Sequence, residues 1–174
     1  TKSQAAGLVS FIFFGMLFGG PLLALLSKKL GNYAVIALCG CGMSLAFATL
    51  LFNSQYSPFL LSGLFFMIGV FCCYQVIVFA AGSNLVPSKN LGVTVAFLNC
   101  VNMLGGSFFH TTIGKIMDLY WTGAFDASGL KTYDPQVYTY ALSLIPTCAL
   151  IGASIVCMLA LKNRKLQTRN MQLA

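Results

Sequence analysis

Five runs of residues, 4–27, 32–52, 58–84, 91–118 and 136–161, are apolar almost without interruption, and each is long enough for an α-helix to cross a bilayer. A backbone in hydrocarbon must satisfy its own N–H and C=O groups, which leaves only helices and closed barrels. Barrel strands alternate lipid-facing and lumen-facing residues, whereas these runs are solidly apolar, so a barrel is excluded. With 58% hydrophobic and 7% charged residues in 174, the chain is no soluble domain. The expected fold is an all-α polytopic membrane protein: one membrane domain of five transmembrane helices in contact with the lipid bilayer.

The first run carries Gly15 and Gly19, four apart, a small-residue face for close contact with another helix. Gly20-Pro21 predicts a kink near its end, because Pro removes a backbone hydrogen bond. Lys28, Lys29 and Gly31 close the run. In the second run Gly40, Ser44 and Ala48 form another close-packing face, and the uncharged link NSQYS follows. Pro58 opens the third run, where its missing N–H does no harm, and Tyr74, Gln75, Ser83 and Asn84 lie further along. After the link VPSKN comes the fourth run. Residues 119–135 form the long outer loop, with Tyr120 and Trp121 where an interfacial belt would put them. The fifth run contains Pro146, a second expected kink, and leads into a basic tail, 162–174. The chain starts TKSQAAG, without an initiator Met, and enters a span at once, so it reads as a piece of a longer protein.

In a soluble protein a net charge of +7 would suggest nucleic acid; here the positions of the basic residues report topology, and no nucleic-acid partner is expected. The links after the first and third runs and the tail hold Lys28, Lys29, Lys89, Lys162, Arg164, Lys165 and Arg169. The other side holds Lys2, Lys115 and Lys131 with all three acids, Asp118, Asp126 and Asp134. This asymmetry puts the C-terminus in the cytoplasm and the N-terminal end outside a cytoplasmic (inner) membrane.

The fourth run, LGVTVAFLNCVNMLGGSFFHTTIGKIMD, is interrupted by Asn99, Asn102, Ser107, His110, Thr111 and Thr112. Amides and an imidazole in hydrocarbon need partners, so such groups face other helices or a wet cavity. Asn99, Asn102, Gly106 and His110 fall at spacings of three and four on one helical stripe; Val95, Leu98, Val101, Phe108 and Phe109 spread around the opposite one, fit for lipid or packing. Asn99 and Asn102 each donate and accept, which suits a polar solute; the competing reading is interhelical glue worth about 0.6–2 kcal/mol each. His110, the one histidine, is either a proton-coupling group or a neutral imidazole at a helix contact. Gln75 and Tyr74 can face the same cavity, although adjacent residues point about 100° apart. Lys115 and Asp118, three apart near the outer end, read as a surface ion pair with each other or as an outer gate.

The seven cysteines, Cys39, Cys41, Cys72, Cys73, Cys100, Cys148 and Cys157, all lie inside apolar runs, where Cys acts as a small hydrophobe rather than a disulfide or metal framework. No His-Glu-x-x-His, Gly-x-Ser-x-Gly, phosphate-cradling glycine loop or intramembrane carboxylate pair occurs. The expectation is a protein that is not an enzyme and needs no cofactor and no metal.

Two stretches resemble the major facilitator superfamily. Gly20 to Asn32, GPLLALLSKKLGN, is similar to its signature cytoplasmic loop of the Gly-x-x-x-Asp-Arg-x-Gly-Arg type. Gly20, Lys29 and Gly31 match; Lys28, after Ser27, stands where the pattern has Asp, and Asn32 where it has a base, which fits the weaker second-half copy. The departure removes the acid of the inter-helix salt bridge. In the fourth run Gly92, Asn99, Gly105-Gly106, Gly114 and Asp118 look like the eleventh helix of many bacterial members. The resemblance covers nearly the whole chain as helices eight to twelve, most of the six-helix C-terminal bundle. It implies a secondary transporter with two bundles rocking about a central site, the N-terminal half of the same transporter as partner, and a small-molecule substrate. The competing class is a stand-alone five-span protein whose wet stripe docks a partner helix in an assembly.

Overall fold

The computed structural model describes residues 2–53, 56–126 and 129–173, with side chains described from Ala6 to Lys162. Gln4 at the start of the first run, Lys2, and Arg164, Lys165 and Arg169 of the tail lie outside the residues whose side chains are described. The elements are α1 (Lys2–Leu30), α2 (Asn32–Phe52), α3 (Pro58–Cys72), α4 (Tyr74–Ser83), a 3₁₀ turn (Ser88–Asn90), α5 (Leu91–Leu119), α6 (Pro135–Leu142) and α7 (Leu144–Leu173). Five units, Ala6–Leu30, Asn32–Phe52, Pro58–Ser83, Ser88–Leu119 and Pro135–Lys162, are long and apolar enough to cross a membrane. The fold is all-helical: among the described residues the one β feature is an isolated bridge, Phe125 to Lys131, in the loop after α5.

Small residues set how closely the helices approach. α1 packs mainly on α3, and α2 mainly on α7. A Cβ on Gly15 would strike the Phe66 carbonyl, one on Gly69 the Ile12 carbonyl, and one on Gly19 would lie 2.8 Å from the Val70 Cα. The α1–α3 contact is therefore backbone against backbone, and dispersion over that surface replaces the hydrophobic effect that lipid withholds. On α2, a Cβ at Gly40 would lie 2.9 Å from the Ala153 Cβ, which brings α7 equally close. Leu23, Val35, Cys39, Cys73 and Ile77 form one buried cluster; Met43, Ala46 and Ile68 form another. Outward-facing side chains are large and apolar, such as Phe13, Leu17 and Phe18 on α1 and Phe97 and Leu104 on α5, and they fit a lipid bilayer. All seven cysteines are free thiols.

The helical path is interrupted at three places, Gly31, Cys73 and Ser143. α1 runs unbroken through Pro21 to Leu30, and only Gly31, at φ 84°, separates it from α2. The Gly31 N–H donates to the Ser27 carbonyl at 2.9 Å and satisfies one of the last orphan acceptors. The third span, expected as one helix, carries a step at Cys73. There the N–H donates to the Val70 carbonyl, one residue short of the α-helical register, while the thiol of Cys73 reaches the Gly69 carbonyl at 3.7 Å and the Met16 carbonyl at 3.2 Å. A side chain has taken the acceptor that the helix would use. The fifth span breaks at Ser143, not at Pro146. Pro146 has no N–H for the Leu142 carbonyl and its ring crowds it, so α6 ends at Leu142, four residues earlier. The tail continues helically as the end of α7.

Candidate functional site: a groove between α4 and α5

The step at Cys73 starts α4 with two polar residues, Tyr74 and Gln75, in its first turn. α5 returns past α4 and meets it where Leu98 fills the space beside Gly82; a Cβ there would lie 2.6 Å from the Leu98 Cδ1. Beside this contact the helices part and leave a groove of about 590 Å³. α4 lines it with Tyr74, Gln75 and Val78, and α5 with Leu98, Asn102, Gly105, Gly106 and Phe109. A recess of about 40 Å³ between Phe79, Leu98 and Asn102 adjoins it.

The groove thus brings together Tyr74, Gln75 and Asn102 of the sequence candidates, and leaves Asn99 and His110 exposed outside its lining. At 100° per residue those two stand roughly 60° and 80° round the helix from Asn102, away from Leu98. Leu98, Val101 and Phe109, read from sequence as lipid-facing or packing residues, line the groove instead. The periodicity identifies faces of α5 but not which face α4 meets, and the Gly82–Leu98 contact decides that. Among the described residues, no hydrogen bond joins the side chains of Gln75 or Asn102 to another group of the chain. Each amide is free to donate and accept, and no charged side chain is in the lining.

At its C-terminal end α5 is tied to the loop that follows it. Asp118 does not pair with Lys115: its Oδ1 accepts from the Lys131 Nζ at 2.7 Å and from the Tyr133 hydroxyl at 3.0 Å. The loop reaches back past Gly129, at φ 75°, and the Leu130 N–H donates to Asp126 Oδ1 at 2.9 Å. Thr132 N–H then donates to the Ala124 carbonyl at 3.0 Å, aligning Lys131 with Asp118. Lys131 also sits 4.7 Å from the Trp121 ring centroid, a cation–π contact. The hydrogen bond to Asp118 holds the Lys131 ammonium above its ordinary pKa. Desolvation, followed by the same carboxylate, pushes the Tyr133 phenol up. The sequence reading missed Lys131 and Tyr133. The available signal was the Asp126-to-Gly129 turn flanked by Phe125 and Lys131.

Of the loop-like motif residues, Gly20, Ser27, Lys28 and Lys29 lie within α1, and only Gly31 is outside a helix. The Ser27 hydroxyl donates to the Ala24 carbonyl at 2.9 Å. Comparison with family models, with curated proteins and with solved structures finds no match to this chain.

Proposed function

We propose that this chain is most of the C-terminal bundle of a secondary active transporter of the major facilitator type. It forms one wall of a central cavity through which a small polar solute crosses a cytoplasmic membrane by alternating access. The observation that carries the reading is the groove: two amides and a phenol converge between α5 and α4, the second half of the membrane-length unit Pro58–Ser83, in a place where lipid would penalise them. Two features support it. The membrane-length units on either side of α5 are discontinuous, at Cys73 and at Ser143, as transporter helices are near their substrate sites. No residue of α5 is buried, so its wet face is open to a second bundle. The bases Lys28, Lys29, Lys89 and Lys162 set the C-terminus inside.

The same uncovered α5 fits the other reading, an interaction subunit that docks a partner helix. Blotting native membranes with an antibody to the tail separates the two. A polypeptide of more than twice this chain's mass supports the transporter, and one of this chain's mass supports the subunit. In the intact protein, Gln75→Ala and Asn102→Ala are expected to cut uptake of the transported solute about tenfold or more with expression maintained. Unchanged uptake contradicts the reading.

A further inference from the structure

The glycines of this chain divide into two kinds. Gly15, Gly19, Gly40 and Gly69 are small because another helix lies against them. Others, Gly7, Gly20, Gly63, Gly92, Gly105, Gly106, Gly114 and Gly152, have nothing within 4 Å of where a Cβ would stand; of these Gly105 and Gly106 sit side by side inside a helix, where glycine is disfavoured. Both line the groove, and together they leave a bare strip of backbone as its floor. Phe109 stands one turn on from that strip, and Tyr74 enters from α4. Gln75 and Asn102 bring the amides. The lysines nearest in sequence, Lys89 in the turn before α5 and Lys115 within it, are each about 20 Å from Asn102 at roughly 1.5 Å per residue.

Bare backbone between aromatic rings admits a flat group closely, because no side chain holds it off. Amides that both donate and accept complement a planar edge carrying N–H and C=O or ring nitrogen. A charge placed here would meet no counter-charge from this wall and would lose its hydration. We propose that the solute carried by this groove is a planar, uncharged, hydrogen-bonding compound, an aromatic amide or nitrogen heterocycle, stacked over Gly105–Gly106 with its polar edge toward Gln75 and Asn102. This rests on the transporter reading and names the substrate class of that site.

The test uses the full-length protein in detergent and ring-matched triplets of probes: nicotinamide, nicotinate and 3-(aminomethyl)pyridine, the corresponding benzene series, and glucose as a neutral non-planar control. The readout is the shift of the thermal unfolding midpoint with concentration. The amides are expected to half-saturate at concentrations about tenfold or more below their carboxylate and amine counterparts and glucose. Gly106→Ala is expected to weaken the amides about tenfold with the unliganded midpoint unchanged or raised, since its methyl enters the groove and touches no neighbour. Gln75→Glu, a change of charge at constant shape, is expected to reverse the order in favour of the amines. Strongest binding by carboxylates, by amines in the unsubstituted protein, or by glucose overturns the substrate class and leaves the transporter reading standing. A panel in which no compound shifts the midpoint counts against solute binding itself, and so against the function proposed above.

Discussion

At the scale of single residues, Asp118 shows how a carboxylate at the end of a long apolar helix is used. It accepts from Lys131 and Tyr133 and so fastens the loop after α5 to that helix, while Lys131 lies against the ring of Trp121, the one tryptophan in the chain. Tryptophan emission therefore reports this clasp directly. Lys131 has its pKa raised in the folded protein, so its contribution is fully present below the ordinary lysine range of about 10.4 and is lost as pH climbs through the raised value. An alkaline titration of Trp121 emission is expected to show a transition above that range that Lys131→Met lacks. Superimposable curves for the two proteins would show that the clasp does not exist in solution. The partners were not legible in the sequence: Lys115 is three residues from Asp118, whereas Lys131 becomes a neighbour only once the turn around Gly129 has closed. The amides at Gln75 and Asn102 were legible, because a polar group in a long apolar run is conspicuous whatever it touches.

At the scale of helices, the pattern of glycines predicts a sharp division in tolerance. Gly15→Leu and Gly69→Leu push side chains into a neighbouring carbonyl and are expected to destabilise the bundle by about 1–3 kcal/mol or more. Gly106→Ala is expected to be neutral or to stabilise by up to about 1 kcal/mol. Thermal unfolding of the three variants checks this, and equal effects would mean that the α1–α3 contact is looser than described. The positions of the helices follow from hydrophobic runs of membrane length. Their breaks are less apparent. Pro146 signals a break but not that the end falls at Leu142, and at Cys73 neither Gly nor Pro marks the step, because a thiol competing for carbonyls has no sequence signature. Helical period likewise placed Asn102 on a polar stripe, but only the meeting of Leu98 with Gly82 shows that Phe109 shares its groove.

For the whole molecule, the arrangement is a bundle in which α1, α2, α3 and α7 are closely packed and α5 is attached along one edge by α4, α6 and the loop after α5. The proposed orientation turns Lys28, Lys29, Lys89 and Lys162 toward the cytoplasm. A reporter fused after the tail is expected to fluoresce as green fluorescent protein and stay inactive as periplasmic alkaline phosphatase; the opposite pair of results reverses the orientation. In the transporter proposed above, the α4–α5 groove is a water-filled passage opening to each side in turn. In the full-length protein with native cysteines replaced, single substitutions Gln75→Cys, Asn102→Cys, Phe97→Cys and Leu104→Cys would be exposed to a membrane-impermeant thiol reagent, first on intact cells and then on inside-out vesicles. Positions 75 and 102 are expected to react from both sides, at least about tenfold faster than 97 and 104, which face away from the groove. Four equally inert thiols, or reaction from one side only, would contradict alternating access through this groove.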